Sequence, residues 1–459
     1  MTRRVFVLAA GAILFYQLIL PPVVGLADNG DFVKVTGRFD LHGRNYRTYL
    51  YVDTIYNIRP EYHWVSDFVS VEIPLAQLAV WFNSVVSKDG TFDLRWIGVV
   101  HGVLFLFAVW LFVPLLETER PSVRWALCAL ALFIYCDMMY VSGLNSFYMD
   151  EPSFLFLLLT AVAYLRVIRF GLRRDALLLM VCPLLLVSAK AQHAPLGLWI
   201  ALGFFLTARD LKPLTRNRWY AAAACLVAAA ALMMLKAQPP DYAADPLYNV
   251  TFEEILPHAK DVGRTLADLG LDDSYRFCIG QKAYLPNSGM DDPAFRKRFM
   301  RRLSYGKLAL FYAKHPAVAY RTMTDALSEA GRQHAFGNFD ISTGYTPGTE
   351  SRAFAVWSGL KRHFFFQHGR TFLLAFLALA ALFGTELWLS RNRLPRSALP
   401  VGLGLIGAAG IELCLSTLCD SMDLTRHSLI FFALFDMMVI ACAYLALAAL
   451  ARRGGPVKC

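Results

Sequence analysis

Ala27-Asp28-Asn29-Gly30-Asp31-Phe32 directly follows residues 5–24, an apolar run long enough to cross a hydrocarbon core of about 30 Å. The stretch decides the fold because it brings the first hydrophobic segment out into water carrying two carboxylates. A carboxylate at the centre of a membrane helix costs roughly 2.5 to 3.5 kcal/mol, and one at the interface much less. Asp28 and Asp31, separated by a flexible Asn-Gly step, can therefore meet a ligand at headgroup level. Solvation alone also explains acidic residues after a first span, so the rest of the chain has to carry the argument.

The composition sets the class. Of 459 residues, 57% are hydrophobic and 17% charged, which predicts a polytopic membrane protein. The formal net charge of +10 does not imply a nucleic-acid partner, because many Arg and Lys residues cluster in short loops between apolar runs. The 9 cysteines fall mostly inside apolar runs, without disulfide or zinc spacing. Arg3-Arg4 ahead of the first run, and Gly25-Leu26-Ala27 after it, resemble a signal peptide; the length of the run predicts an uncleaved anchor.

Further spans are expected at 94–116, 125–141, 152–168, 176–189, 196–207, 219–235, 371–389, 398–418 and 428–450. The predicted fold is thus an all-α polytopic membrane protein with about ten transmembrane helices. Residues 65–86 are apolar but interrupted by Asp67, Glu72, Pro74, Gln77 and Asn83, and are expected to lie in the interface. With that count, the basic loops fall on one side: Arg3-Arg4, Arg120 with Arg124, 166–174, 209–218, 391–396, and Arg452-Arg453 with Lys458. Positive residues collect in the cytoplasm, so both termini are expected there, in a plasma or bacterial inner membrane. The organisation expected is a transmembrane module at 1–236 with a first outer loop at 25–93, an outer helical domain at 237–370, and terminal spans at 371–459.

In the outer domain, Thr251-Phe252-Glu253-Glu254 fits a capping box and Asp292-Pro293 a helix start. His315-Pro316 should separate two helices, and 337–359 is rich in turn residues. No strand alternation is visible there, and Asn249-Val250-Thr251 matches a glycosylation sequon.

Four polar groups approach the outer face from separate spans: Asp28 with Asp31, Asp150 with Glu151, Lys190 with Gln192 and His193, and Arg426 with His427. Carboxylates and cations at one depth suit a ligand that combines a phosphate with hydroxyls. A sugar on a lipid phosphate has that form. A carboxylate would take the acceptor proton, with Asp31 the leading base and Asp28 second, while cations stabilise the departing phosphate. Arg426 suits the phosphate through its bidentate fork, helped by Lys190 and His427. Asp150, Glu151, Gln192 and His193 would orient the acceptor. With Asp28 and Asp31, the acidic pair also forms a candidate oxygen-ligand set for a divalent cation such as Mg or Mn.

Each residue has a plainer explanation. Asp150 and Glu151 precede Pro152 and suit a helix N-terminus, Lys190 suits an interface, and Arg426 has Asp420 and Asp423 for local partners. The aromatics of the first loop, Tyr46, Tyr49, Tyr51, Tyr56, Tyr62 and Trp64, suit an interfacial belt. Asp137 and Asp436 sit within spans and are expected to pair internally.

The pattern resembles the GT-C superfamily of membrane glycosyltransferases, which includes protein O-mannosyltransferases and hexosyltransferases of bacterial surface glycans. The resemblance rests on Asp28-Asn29-Gly30-Asp31 after the first span, Asp150-Glu151, and Arg426-His427 near the last span. It implies a polyprenyl-phosphate sugar donor, a glycan, lipid or protein acceptor, and inversion at the anomeric carbon. Two departures stand out: the first motif is Asp-x-x-Asp where an adjacent Asp-Glu pair is usual, and no large soluble domain follows the last span. The competing readings are an O-antigen-ligase-like transferase, a lipid-linked-sugar flippase or transporter, and a non-catalytic assembly partner. Repeated halves and midplane ligand groups would mark a transporter.

Overall fold

The computed structural model describes residues 2–44, 49–60, 67–207, 218–239, 241–334, 336–392 and 394–453. Tyr46, Tyr62, Trp64, Lys458 and most of the basic 209–218 loop lie outside them. Helix α1 (Thr2–Leu18) stops short of Pro21-Pro22, since proline offers no N–H to continue the ladder. After the short α2 (Val33–Thr36) come three strands, β1 (Leu41–Gly43), β2 (Ile55–Ile58) and β3 (Thr91–Asp93). They form an antiparallel sheet in the order β1-β2-β3, with Leu41 opposite Ile58 and Tyr56 opposite Phe92. This sheet corrects the all-α expectation. Strands this short hold too few alternations to register as a period-two pattern.

Between β2 and β3 lies α3 (Glu72–Val86), the segment expected at the interface. It buries Glu72, Ala76, Ala79 and Asn83 and leaves Leu78, Trp81, Val85 and Val86 exposed. Its uncovered face is therefore apolar, as suits a helix lying along a membrane boundary. Ahead of α4, β3 packs Phe92 with Tyr56 and Phe147 in a small core that also takes Tyr148 and Phe32.

The long helices follow: α4 (Arg95–Phe112), α5 (Pro121–Tyr135), α6 (Met138–Leu144), α7 (Asp150–Phe170), α8 (Arg173–Val187), α9 (Ala194–Thr207) and α10 (Arg218–Ala237). Among the described residues, six helices are long and apolar enough to cross a membrane, and α5 with α6, bent by 60°, makes a seventh if it counts as one span. Of the about ten spans expected from the apolar runs, six or seven thus reach spanning length among the described residues. The other three helices, α1, α8 and α9, have 17, 15 and 14 residues among the described residues. At 1.5 Å per residue, α8 with both ends described is about 22 Å long, short of the roughly 30 Å hydrocarbon thickness.

Residues 241–366 carry α11 (Ala244–Asn249), α12 (Val262–Leu269), α13 (Pro293–Arg302), α14 (Tyr305–Lys314), α15 (Pro316–Ala330) and α16 (Val356–Phe365). Asp292 caps α13, its carboxylate accepting the Ala294 N–H at 2.8 Å, and His315-Pro316 divides α14 from α15 as the sequence predicts. The expected capping box does not form, because Thr251 sits inside a π-helical continuation of α11. The sequon asparagine is buried, with Asn249 Oδ1 accepting the Ala283 N–H. Tyr248, Phe252, Tyr275 and Phe299 fill this domain's own core. Burial of such a ring from water contributes about 1.5–3 kcal/mol.

The chain closes with α17 (Gly369–Ser390), α18 (Ala398–Leu418), α19 (Leu424–His427) and α20 (Leu429–Arg453). Asp436 on α20 accepts from Lys361 at 2.9 Å, Tyr140 at 2.7 Å and Trp357 at 2.9 Å. Asp137 caps α6 through Met139 N and accepts the Ser358 N–H. Both acids are thus paired internally, and together they tie α16 to the bend between α5 and α6.

Candidate functional site

The Asp28–Asp31 loop is shaped by its own side chains. Asp28 Oδ1 accepts the N–H groups of Gly30 at 2.7 Å and Phe32 at 3.1 Å, closing a tight turn in which Gly30 adopts a φ of 98°. Asn29 Oδ1 accepts the Asp31 N–H at 2.9 Å, and its amide donates to Asp423. Phe32 is buried against Phe147 and Tyr148, which leaves Asp31 on the rim. The loop is also held from outside. Asn145 donates to the carbonyls of Leu18 and Val24 at 2.9 and 2.8 Å, and the turn-rich 337–359 segment binds Gly25 and Ala27 through Asn338 and Gly337.

Arg426 is the hub. Its Nη2 donates to Asp31 Oδ2 at 2.8 Å and to Asp423 Oδ2 at 3.1 Å, while Nη1 donates to Asp150 Oδ2 at 3.1 Å. Lys190 donates to the other Asp150 oxygen at 2.7 Å, and Lys34 pairs with Asp31 Oδ1 at 2.6 Å. The guanidinium lies 4.5 Å over the Tyr148 ring, and Nη2 is 3.2 Å from His427 Nε2. Exposure falls off inwards: the Asp31 side chain is 28% exposed, Arg426 6% and Asp150 1%. A ligand arriving from outside would meet Asp31 and Lys34 first, then the guanidinium.

These contacts set the charges. Burial alone would raise the Asp31 pKa, but Arg426 and Lys34 outweigh it and hold the carboxylate well below its usual range. Burial also opposes the Arg426 charge, yet Asp31, Asp150 and Asp423 raise its pKa well above the ordinary value. Lys190 is lowered by burial despite Asp150. Burial raises Asp28, its backbone hydrogen bonds only partly offsetting the effect. Asp420 and His427 lie 3.6 Å apart, a spacing that reads as an ion pair. Burial nevertheless pushes Asp420 up to about 7, and burial with Lys190 and Arg426 drives His427 well below its usual range. The contact is therefore a neutral imidazole beside a carboxyl that is protonated in mild acid.

Of the predicted residues, Asp31, Asp150, Lys190, Arg426 and His427 converge. Gln192 touches the group only by donating to the His427 carbonyl at 3.1 Å. His193 turns away, with Nδ1 3.0 Å from Glu412 in a fully buried pair, so the structure gives it no place beside Asp31. Glu151 also departs from Asp150. It points past Gly143 into a small cavity shared with Ser142, Gln333 and the back of Arg426, and its Oε2 has no partner among the described residues. Successive residues in a helix point about 100° apart, so these two adjacent acids face different neighbours. Asp28 faces its own backbone. The four acids consequently do not close on one point, and no group of three or more metal-ligating side chains occurs among the described residues.

Sequence reasoning missed Lys34, Asn29 and Tyr148. Lys34 had a signal, its spacing of three from Asp31 at the start of a helix; Tyr148, next to Asp150, had only proximity. Of the loop aromatics, Tyr51 and Tyr56 are core residues, and Tyr49 is exposed against Phe336.

A bundle of long apolar helices with a charged pocket between its loops defines a helical membrane protein. More narrowly, the chain belongs to the YfdI N-terminal transmembrane domain family, whose model matches residues 2–453. No curated protein and no solved structure matches it.

Proposed function

We propose that this protein is an inverting glycosyltransferase of the GT-C type. It would move a hexosyl or pentosyl group from a polyprenyl-phosphate donor to a glycan, lipid or protein acceptor at the outer face of the membrane. The observation that carries this reading is the contact between a rim carboxylate, Asp31, and a buried arginine, Arg426, anchored by Asp150 and flanked by Lys190.

In the reaction, the acceptor hydroxyl oxygen bonds to the anomeric carbon as its proton passes to Asp31. The bond from that carbon to the phosphate oxygen breaks, and the electron pair leaves with the polyprenyl phosphate. Arg426 and Lys190 meet the growing phosphate charge. A carboxylate held strongly ionised is a weak base. When the guanidinium turns part of its charge onto the donor phosphate, Asp31 loses some of that stabilisation and its proton affinity rises towards the working range. Donor binding thereby prepares the base.

Surface glycans from cells lacking the protein should be missing one glycosyl residue by mass spectrometry. Wild type should restore it and Asp31→Asn should not. Restoration by Asp31→Asn would reject the base. Purified protein that carried a lipid-phosphate sugar across vesicles without forming a glycoside would favour a transporter.

A further inference from the structure

The bundle has a second charged cavity at its other end. Asp150 begins α7 and Phe170 ends it, so the 21-residue helix separates the Arg426 pocket from this second cavity by about 30 Å. There, residues of α1, α4, α7 and α8 line a groove of about 820 Å³. Its walls are apolar: Phe107, Trp110, Leu177 and Val181 all line it and all are exposed. Three arginines, Arg3, Arg166 and Arg174, meet two acids, Glu117 and Asp175.

The charges do not cancel within the groove. Arg166 Nε donates to Asp175 Oδ1 at 2.8 Å, and Arg166 also donates to the Leu111 carbonyl at 3.0 Å. That buried pair is internally neutral. Arg3 is fixed in place: Nε donates to the Trp110 carbonyl at 2.9 Å, and the guanidinium lies 3.3 Å over the Trp110 ring. Arg174 is exposed and makes no hydrogen bond or ion pair among the described residues. Two guanidiniums thus stand against the single carboxylate of Glu117, above walls that water would wet poorly.

The complementary molecule has an anionic head and long hydrocarbon. A free phosphate would satisfy the arginines but leave the walls uncovered, and a zwitterionic lipid would cover the walls without matching the excess positive charge. We propose that this groove binds a diacyl phospholipid with an anionic headgroup. Its phosphate would sit between Arg3 and Arg174, with a chain lying along Phe107, Leu177 and Val181. The site is independent of any sugar-transfer activity.

Brominated phospholipids quench nearby tryptophan, and Trp110 reports from inside the groove. The full chain is reconstituted in phosphatidylcholine vesicles containing brominated phosphatidylglycerol or brominated phosphatidylcholine. The Trp110 signal is taken as the difference from Trp110→Phe. Phosphatidylglycerol should quench it at a mole fraction about fivefold or more lower, the preference expected per basic residue near an anionic lipid. Arg3→Gln with Arg174→Gln should remove the preference, while Arg4→Gln, outside the groove, should keep it. Should the double variant not insert, Arg174→Gln alone, which breaks no contact, should still cut the preference about fivefold. Equal quenching by both lipids in the wild type, an unchanged preference in the groove variants, or an equal loss in Arg4→Gln would each overturn the proposal.

Discussion

Arg426 Nη2 lies 2.8 Å from Asp31 Oδ2, although 395 residues separate them along the chain. The pair joins the first loop after α1 to the short helix that leads into α20. Arg426 reaches Asp150 and Asp423 as well, so a single guanidinium bridges carboxylates from three parts of the sequence.

Replacing Arg426 should separate charge from geometry. Arg426→Gln leaves Asp150 buried with only Lys190, and removing one partner of a buried pair costs about 3–5 kcal/mol. Arg426→Lys keeps the charge but cannot reach three carboxylates with one fork. It should remain folded and lose sugar transfer by about 100-fold. Thermal unfolding in detergent, paired with a transfer assay in proteoliposomes, checks both.

The two acids of the first loop should behave differently. Asp31→Asn removes the proposed base and should lower transfer by about 10²- to 10⁴-fold. Asp28→Asn preserves a side-chain oxygen for the Gly30 and Phe32 N–H groups, and should lower transfer by less than about tenfold under the same principle. Asp28→Ala should lose the turn and with it the placement of Asp31. Equal losses in Asp28→Asn and Asp31→Asn would show that the loop's shape, and not a base, is being measured.

Asp420 predicts a pH dependence. Its folded pKa, raised to about 7, lies above the ordinary 3.8 because burial disfavours the anion. The folded state therefore holds the proton more tightly than the unfolded chain. The contribution to stability is full below about pH 4 and declines as pH rises towards about 7, by roughly 1.4 kcal/mol per unit. Asp31 has the opposite sign: its lowered pKa stabilises the fold above the ordinary carboxylate range, and that contribution is lost in acid. The stability difference between wild type and Asp420→Asn, from unfolding followed against pH, should therefore shift against the wild type as pH rises from about 4 to 7.

Asn145 should prove structural but necessary. Its amide holds both Leu18 and Val24 carbonyls, and a Cβ at Gly98 would stand 1.9 Å from its Oδ1. Asn145→Ala leaves two buried carbonyls without this donor, at about 1–3 kcal/mol each. Gly98→Ala should force Asn145 aside with a similar result. Thiol labelling of Asp31→Cys, combined with either change, should become faster as the loop loosens.

The sequence alone carried the membrane class, most of the long helices, and the polar residues stationed at their ends. These are local properties: an apolar run of sufficient length, a proline or glycine that stops it, a charge that stays near water. Asp150, Lys190 and Arg426 were legible for the same reason, each standing where an apolar segment begins or ends. Packing decided which of them touch. Glu151 left Asp150 because neighbours on a helix diverge, His193 was taken by Glu412, and Asp28 was spent on its own turn. The strands of three or four residues were too short to leave a pattern. Contacts such as Asp31 with Arg426 depend on how helices distant in sequence cross, and no local periodicity encodes that geometry.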